Sequence, residues 1–149
     1  MEIEKEIKNA KFLNNYQKVS VNIVYTYNWL NSLLKAELDK YQITNQQFNI
    51  LRILKGQYPK PATVNILKER MLDKMSDASR IVDRLVQKEL VTRCFNDIDM
   101  RAVDIVITEK GLNLLKSVLI EDLITHALQN NITEDEANTL SLLLDKLRG

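Results

Sequence analysis

The sequence predicts a mainly α-helical chain carrying one small β-hairpin. Three observations support this. Helix breakers are scarce, with 3 glycines and 2 prolines in 149 residues. Apolar residues recur at steps of three and four along most of the chain, which is helical spacing. One stretch, "VTRCFNDIDMRAVDIVI" from Val91 to Ile107, instead alternates around a polar centre, the pattern of two short strands and a turn.

The first helix follows from Phe12, Tyr16, Val19, Ile23, Tyr27, Leu30, Leu34 and Leu38, which form one stripe. A helix of about 30 residues is roughly 45 Å long. That is more than a core of this size can cover, so part of the stripe needs another surface, and a second chain is the simplest one. In "ITNQQFNILRIL" Thr44 and Gln47 form a capping box, with Ile43 and Phe48 as the hydrophobic staple. Gly56 to Pro61 ends this helix. Thr63 caps the next, "VNILKERML", and a short link leads to Ser76 as the expected N-cap of another. There Ala78, Ile81, Val82 and Leu85 point inward, while Asp77, Arg80, Arg84, Gln87 and Lys88 fall on the opposite side.

"VTRCF" is then a strand, "NDID" the turn, and "AVDIVI" the returning strand with Val103, Ile105 and Ile107 on one face. Thr108 caps a helix running from Glu109 to Gln129, and Thr133 with Glu136 opens the last one. Two short helices joined by a tight turn and followed by a hairpin make a winged helix-turn-helix, here flanked by N- and C-terminal dimerisation helices. The second short helix fits a DNA major groove. An arginine in the hairpin turn is drawn to a narrow minor groove. One continuous domain is expected, with residues 1–40 for dimerisation, 41–110 for DNA binding and 111–149 again for dimerisation.

Composition agrees with a water-exposed globular chain. Hydrophobic residues make up 45% and charged residues 28%. No apolar run is long enough for a membrane span. The N-terminal "MEIEKEIKNAK" leads into no signal-peptide core, so a cytoplasmic location is expected. The net charge is +1, but Arg52 to Lys110 holds 12 basic and 9 acidic residues, a mild excess in the part expected to meet DNA.

"TNQQFNILRIL", "LKERMLDKMSDASRIVDRLVQKELVTR", "DMR" and "ITEKG", in this order and spacing, resemble the MarR family of bacterial transcriptional regulators. The resemblance covers most of Thr44 to Gly111, and the flanking helices match the family's layout. It implies a homodimer with intertwined terminal helices, bound to pseudo-palindromic double-stranded DNA, often as a repressor, and in many members released by small aromatic or phenolic compounds. Carried over by position, Ser76 to Arg84 become the recognition helix. The expected DNA-binding residues are Thr63, Ser76, Asp77, Ala78, Ser79, Arg80, Arg84, Asp99 and Arg101. Asp99 and Arg101 match the family's Asp-x-Arg wing motif, in which the arginine enters the minor groove and the aspartate braces it. This chain has Met100 where the family usually has a second wing arginine. It has Glu89 where the family usually has glycine, which implies a slightly different exit from the recognition helix.

Other functional classes find little in the sequence. Asp97 and Asp99 lack the further ligands and the glycine of a calcium loop. His126, the only histidine, most simply packs or faces water, and Cys94 is expected to be a buried structural thiol in the first wing strand. No metal or cofactor is implied, nor is an enzyme, since there is no P-loop, dinucleotide fingerprint or nucleophile elbow. Tyr16, Tyr25, Tyr27 and Trp29 are candidates for lining an effector cavity between the dimer and DNA-binding parts, and serve equally as dimer core. The competing function is a winged-helix module that binds protein and not DNA.

Overall fold

The computed structural model describes residues 2–8, 11–95 and 103–149, and most of its helices start at side-chain caps written in the sequence. A single turn, α1 (Ile3–Glu6), comes first; the apolar periodicity does not announce it. It is tied to α2 (Asn15–Asp39) by Lys18 on Glu4 at 2.5 Å and by the Tyr25 hydroxyl donating to Glu6 at 2.8 Å. α2 starts a turn later than the apolar stripe suggests, because the Asn14 side chain accepts the Gln17 amide and caps it there. Its 25 residues make it about 37 Å long.

α3 (Asn45–Gln57) opens on the expected capping box of Thr44 and Gln47. Its inward face, with Phe48, Ile50, Leu51, Ile53 and Leu54, forms the middle of the core. A short strand β1 (Ala62–Thr63) leads into α4 (Val64–Arg70), capped by Thr63 as expected. Helix α5 (Ala78–Gln87) follows. Its N-cap is Asp77, not Ser76: the Asp77 carboxylate accepts the Arg80 amide at 3.2 Å. The Ser76 hydroxyl is engaged elsewhere, donating to Asp73 at 2.6 Å, while the other Asp73 oxygen accepts the Met75 amide at 3.0 Å. These bonds, that from Ser76 first, hold the Asp73 carboxyl below its ordinary value.

Strands β2 (Val91–Phe95) and β3 (Val103–Ile107) form the expected antiparallel pair, with Val91 opposite Ile107 and Arg93 opposite Ile105. β1 adds a third strand on the far side of β3, with Ala62 opposite Ile105, so the order is β1-β3-β2. The wing residues Asp97, Asp99, Met100 and Arg101 lie outside the described residues.

Two helices replace the single one expected from Glu109 to Gln129. α6 (Glu109–Ser117) stops at Val118, whose backbone is extended, and α7 (Ile120–Gln129) resumes after it. The break lets both Val118 and Ile120 enter the core. The Tyr41 hydroxyl donates to the Ser117 carbonyl at 2.5 Å, and Arg52 of α3 pairs with Glu121 of α7 at 2.8 Å. α8 (Glu134–Arg148) begins at the expected Thr133–Glu136 capping box.

One core runs through α3, α4, α5, the sheet and α6, with Leu51, Leu67, Val82, Leu85 and Ile105 fully buried. Gly111 sits where α6 crosses the exit of α5. A β-carbon there would lie 2.4 Å from the Leu90 carbonyl oxygen and 2.7 Å from Ile107, so only glycine fits.

Candidate nucleic-acid interface

α5 is strongly two-faced. Ala78, Val82 and Leu85 are fully buried, and Asp77, Ser79, Arg80, Asp83, Arg84 and Gln87 are exposed. The predicted residues therefore separate. Asp77, Ser79, Arg80 and Arg84 share solvent access at one end and along one side of the helix. Ala78 does not, because its methyl group packs in the core. Ser76 is half-buried and bound to Asp73. Thr63 is half-buried and spends its hydroxyl on the Ile66 amide at 3.4 Å.

Charge on this face is arranged unevenly. Arg80 Nε lies 3.3 Å from Asp77 with the arginine side chain 83% exposed. Spacing along the helix makes Asp83 a natural partner for Arg80, three residues earlier. Instead Asp83 reaches Arg93 of β2 at 2.6 Å. Arg84 is exposed and enters no ion pair among the described residues. Arg93 thus fastens β2 to α5 and removes a competing carboxylate from Arg80. Sequence reasoning missed this residue; the signal available was its place two residues from buried Val91, on the strand face turned toward α5.

Lys88 also departs from expectation. It does not join the exposed row but turns back, donating to the Gln42 carbonyl and approaching Gln47 at 3.4 Å. The helix exit beside it follows the geometry that a glycine would allow. Glu89 has φ of 61°, in the left-handed region. The Leu90 amide donates to Leu85 at 3.0 Å and the Glu89 amide to Val86 at 2.8 Å, the paired bonds of a Schellman cap. Glutamate takes the strained position itself, and its carboxylate pairs with Lys110 at 2.7 Å, which holds it below its usual value.

The four candidate pocket aromatics do not converge. Tyr25 and Tyr27 are two residues apart on α2 and so lie on opposite sides of it. Tyr25 and Trp29 share one side, Tyr16 and Tyr27 the other. Only Tyr27 borders a groove of about 770 Å³, which α2 makes with α3 and the link before α5; Leu34, Ile43, Asn49, Met71 and Leu72 also line it. The groove lies between the long helix and the winged-helix part, with other walls than the expected aromatics. Cys94 is exposed and not buried. Three residues from buried Val91, it falls on the opposite strand face. Among the described residues no group of His, Cys, Asp and Glu is placed to hold a metal ion, and no helix is long and apolar enough to cross a membrane.

Residues 39–124 match the family model described as an ArnR1-like winged-helix domain. The chain is 27% identical over 103 residues to the HTH-type transcriptional regulator MhqR of Bacillus subtilis, spanning 68% of each protein. It is similar in structure to a cysteine-to-serine mutant of Escherichia coli MarR complexed with operator DNA, at 28% identity and a TM-score of 0.77, covering 93% of this chain and 99% of that one. An organohalide-sensing regulator, RdhR, in its 2,4-dichlorophenol-bound form shares the fold with a TM-score of 0.80 at 24% identity, over 91% of this chain and 80% of that one.

Proposed function

Because the chain belongs to the winged-helix transcription regulators of the MarR family, we propose that it is a cytoplasmic repressor that binds a pseudo-palindromic operator as a homodimer and is released by a small aromatic compound. DNA binding comes with the family, which is one of regulators and not of enzymes. In this proposal residues 41–110 meet the DNA, and residues 1–40 and 111–149 build the dimer. The observation that carries it is the outer face of α5. A helix whose other face is locked into the core presents Ser79, Arg80 and Arg84 to solvent, Arg84 with no ion pair among the described residues. A rigid helix of this kind fits a major groove, where arginine pairs with the edge of guanine. Asp99 and Arg101 would add the minor-groove contact that the Asp-x-Arg motif implies.

The dimer is supported by what the single chain leaves bare. α8 buries none of its residues. Leu140, Leu143 and Leu147 on α8 and Leu13, Tyr16 and Tyr27 on or before α2 remain at least half exposed. Apolar area of this kind marks an association surface. The aromatic effector is supported by the groove beside Tyr27 and by the 2,4-dichlorophenol bound to the related regulator.

Fluorescence anisotropy on duplexes selected from a random library tests the reading. Affinity should fall steeply with salt, and Arg80→Ala or Arg84→Ala should each lose about 1–3 kcal/mol. Full affinity in both variants would remove α5 from the interface. Sedimentation at micromolar concentration should show a dimer; a folded monomer there would refute that part. Titration with 2,4-dichlorophenol should release the duplex if the groove is an effector site.

A further inference from the structure

Asp77 meets Arg80 twice. One carboxylate oxygen accepts the Arg80 amide at 3.2 Å and so caps α5. The other faces the Arg80 side-chain Nε at 3.3 Å. A guanidinium carries its N–H groups in a fixed plane, with Nε on one edge and the two terminal nitrogens forming the fork at the tip. The ion-pair contact falls at Nε, the edge away from the fork, and the side chain is 83% exposed at the start of α5. We propose that Asp77 is a positioning residue for DNA reading: it fixes Arg80 by Nε and presents the two terminal nitrogens as a preset fork for the O6 and N7 acceptors of a guanine. This rests on the proposed role of α5 as the DNA-reading helix.

The arrangement has a consequence that a simple helix cap does not share. A carboxylate at the DNA-facing end of α5 is repelled by phosphates, so it weakens binding to any duplex. It is compensated only where a guanine meets the fork. Removing its charge should therefore raise sequence-independent affinity and lower guanine preference at once. Asn caps helices about as well as Asp, so Asp77→Asn keeps the bond to the Arg80 amide while withdrawing the charge from Nε.

The full-length protein, Asp77→Asn and Arg80→Ala are compared on a synthetic duplex library randomised over about two helical turns. The best duplex is then resynthesised with 7-deazaguanine, which lacks the N7 acceptor. The parent should select guanine at one position per half-site and lose affinity on the 7-deaza duplex. Arg80→Ala should lose both properties. Asp77→Asn should melt like the parent and bind random duplex at least as tightly. Its guanine preference should drop about tenfold, with a smaller 7-deaza penalty. Parental guanine preference in Asp77→Asn, alongside its loss in Arg80→Ala, would overturn the positioning role and leave α5 as the reader. Retained guanine preference in Arg80→Ala would overturn the positioning role as well, by removing Arg80 from base reading.

Discussion

Helices α5 and α8 both carry apolar residues at helical spacing, yet α5 buries Ala78, Val82 and Leu85 completely while Leu140, Leu143 and Leu147 of α8 stay half exposed or more. α5 sorts its apolar residues to one side more sharply than α8 does. They also differ in surroundings: α5 is enclosed by α3, α4 and β2, and α8 buries nothing. An amphipathic stripe states that a helix needs a partner, and the rest of the chain decides whether that partner is internal. The core of the winged-helix part is closed from within the chain, with Leu38, Leu115, Val118 and Ile120 of the flanking helices joining it. α8 and the start of α2 find no such cover, and their unfilled side is where a second copy is proposed to fit.

Mutation of each region should sharpen this contrast. Leu85→Ala opens a cavity among fully buried neighbours and should cost about 2–5 kcal/mol in denaturant unfolding. A loss below 1 kcal/mol would mean that the core collapses around the gap. Leu143→Glu in α8 should leave the winged part folded and raise the dimer dissociation constant by about tenfold or more, about 1.4 kcal/mol, in sedimentation. An unchanged association constant would take α8 out of the proposed interface. Glu89→Gly relieves the left-handed backbone at the α5 exit but adds unfolded-state freedom and gives up an exposed ion pair with Lys110. The net should be a gain of roughly 0.5 kcal/mol, seen as a higher melting temperature; a lower one would make the Lys110 pair the larger effect.

Two smaller effects concern the helix–wing junction and the turn before α5. A double-mutant cycle on Asp83→Asn and Arg93→Gln should give a coupling of about 0.2–1 kcal/mol, because both side chains are substantially solvent-accessible. Zero coupling would show that Arg93 does not fasten β2 to α5. The Asp73 carboxyl lies below its ordinary value of 3.8. Its contribution is thus present above that value and is lost as pH falls through the lower, folded one. Hydrogen exchange at the Met75 amide, which bonds to Asp73, should speed up in that acid window relative to amides inside α3. Equal acceleration of both would indicate global unfolding instead.

Much of this architecture was legible in the sequence because caps and alternation are local signals. Thr44, Thr63, Thr108 and Thr133 each bond the amide that the sequence assigns to them. Ile105 and Ile107 face inward as their spacing requires. What escaped depends on tertiary neighbours. Ser76 and Asp77 are both good caps, and the choice fell to Asp77 because Asp73, three residues upstream, engages the serine hydroxyl. A two-residue strand such as β1 is too short to show alternation. No glycine or proline marks the break at Val118; it arises because Val118 and Ile120 both enter the core. At the candidate interface, Arg80 and Arg84 emerged on the exposed face as expected. Arg93, however, acts through a residue ten positions earlier, and no single-helix spacing could reveal that. The four aromatics are spread around α2 for a simpler reason, since neighbours two apart on a helix point away from each other.

The sheet has a consequence for how copies of this chain meet. β3 lies in its middle, so its open rims are a strand of two residues and β2. β2 carries a charged guanidinium clamped to α5 across its side. Short rims and fixed charge discourage strand-by-strand addition, the route by which β proteins polymerise without end. The proposed dimer would instead use helical surfaces, and two-fold pairing of helices closes on itself. Paired in that way, a chain with a large area of bare leucine would stop growing at two.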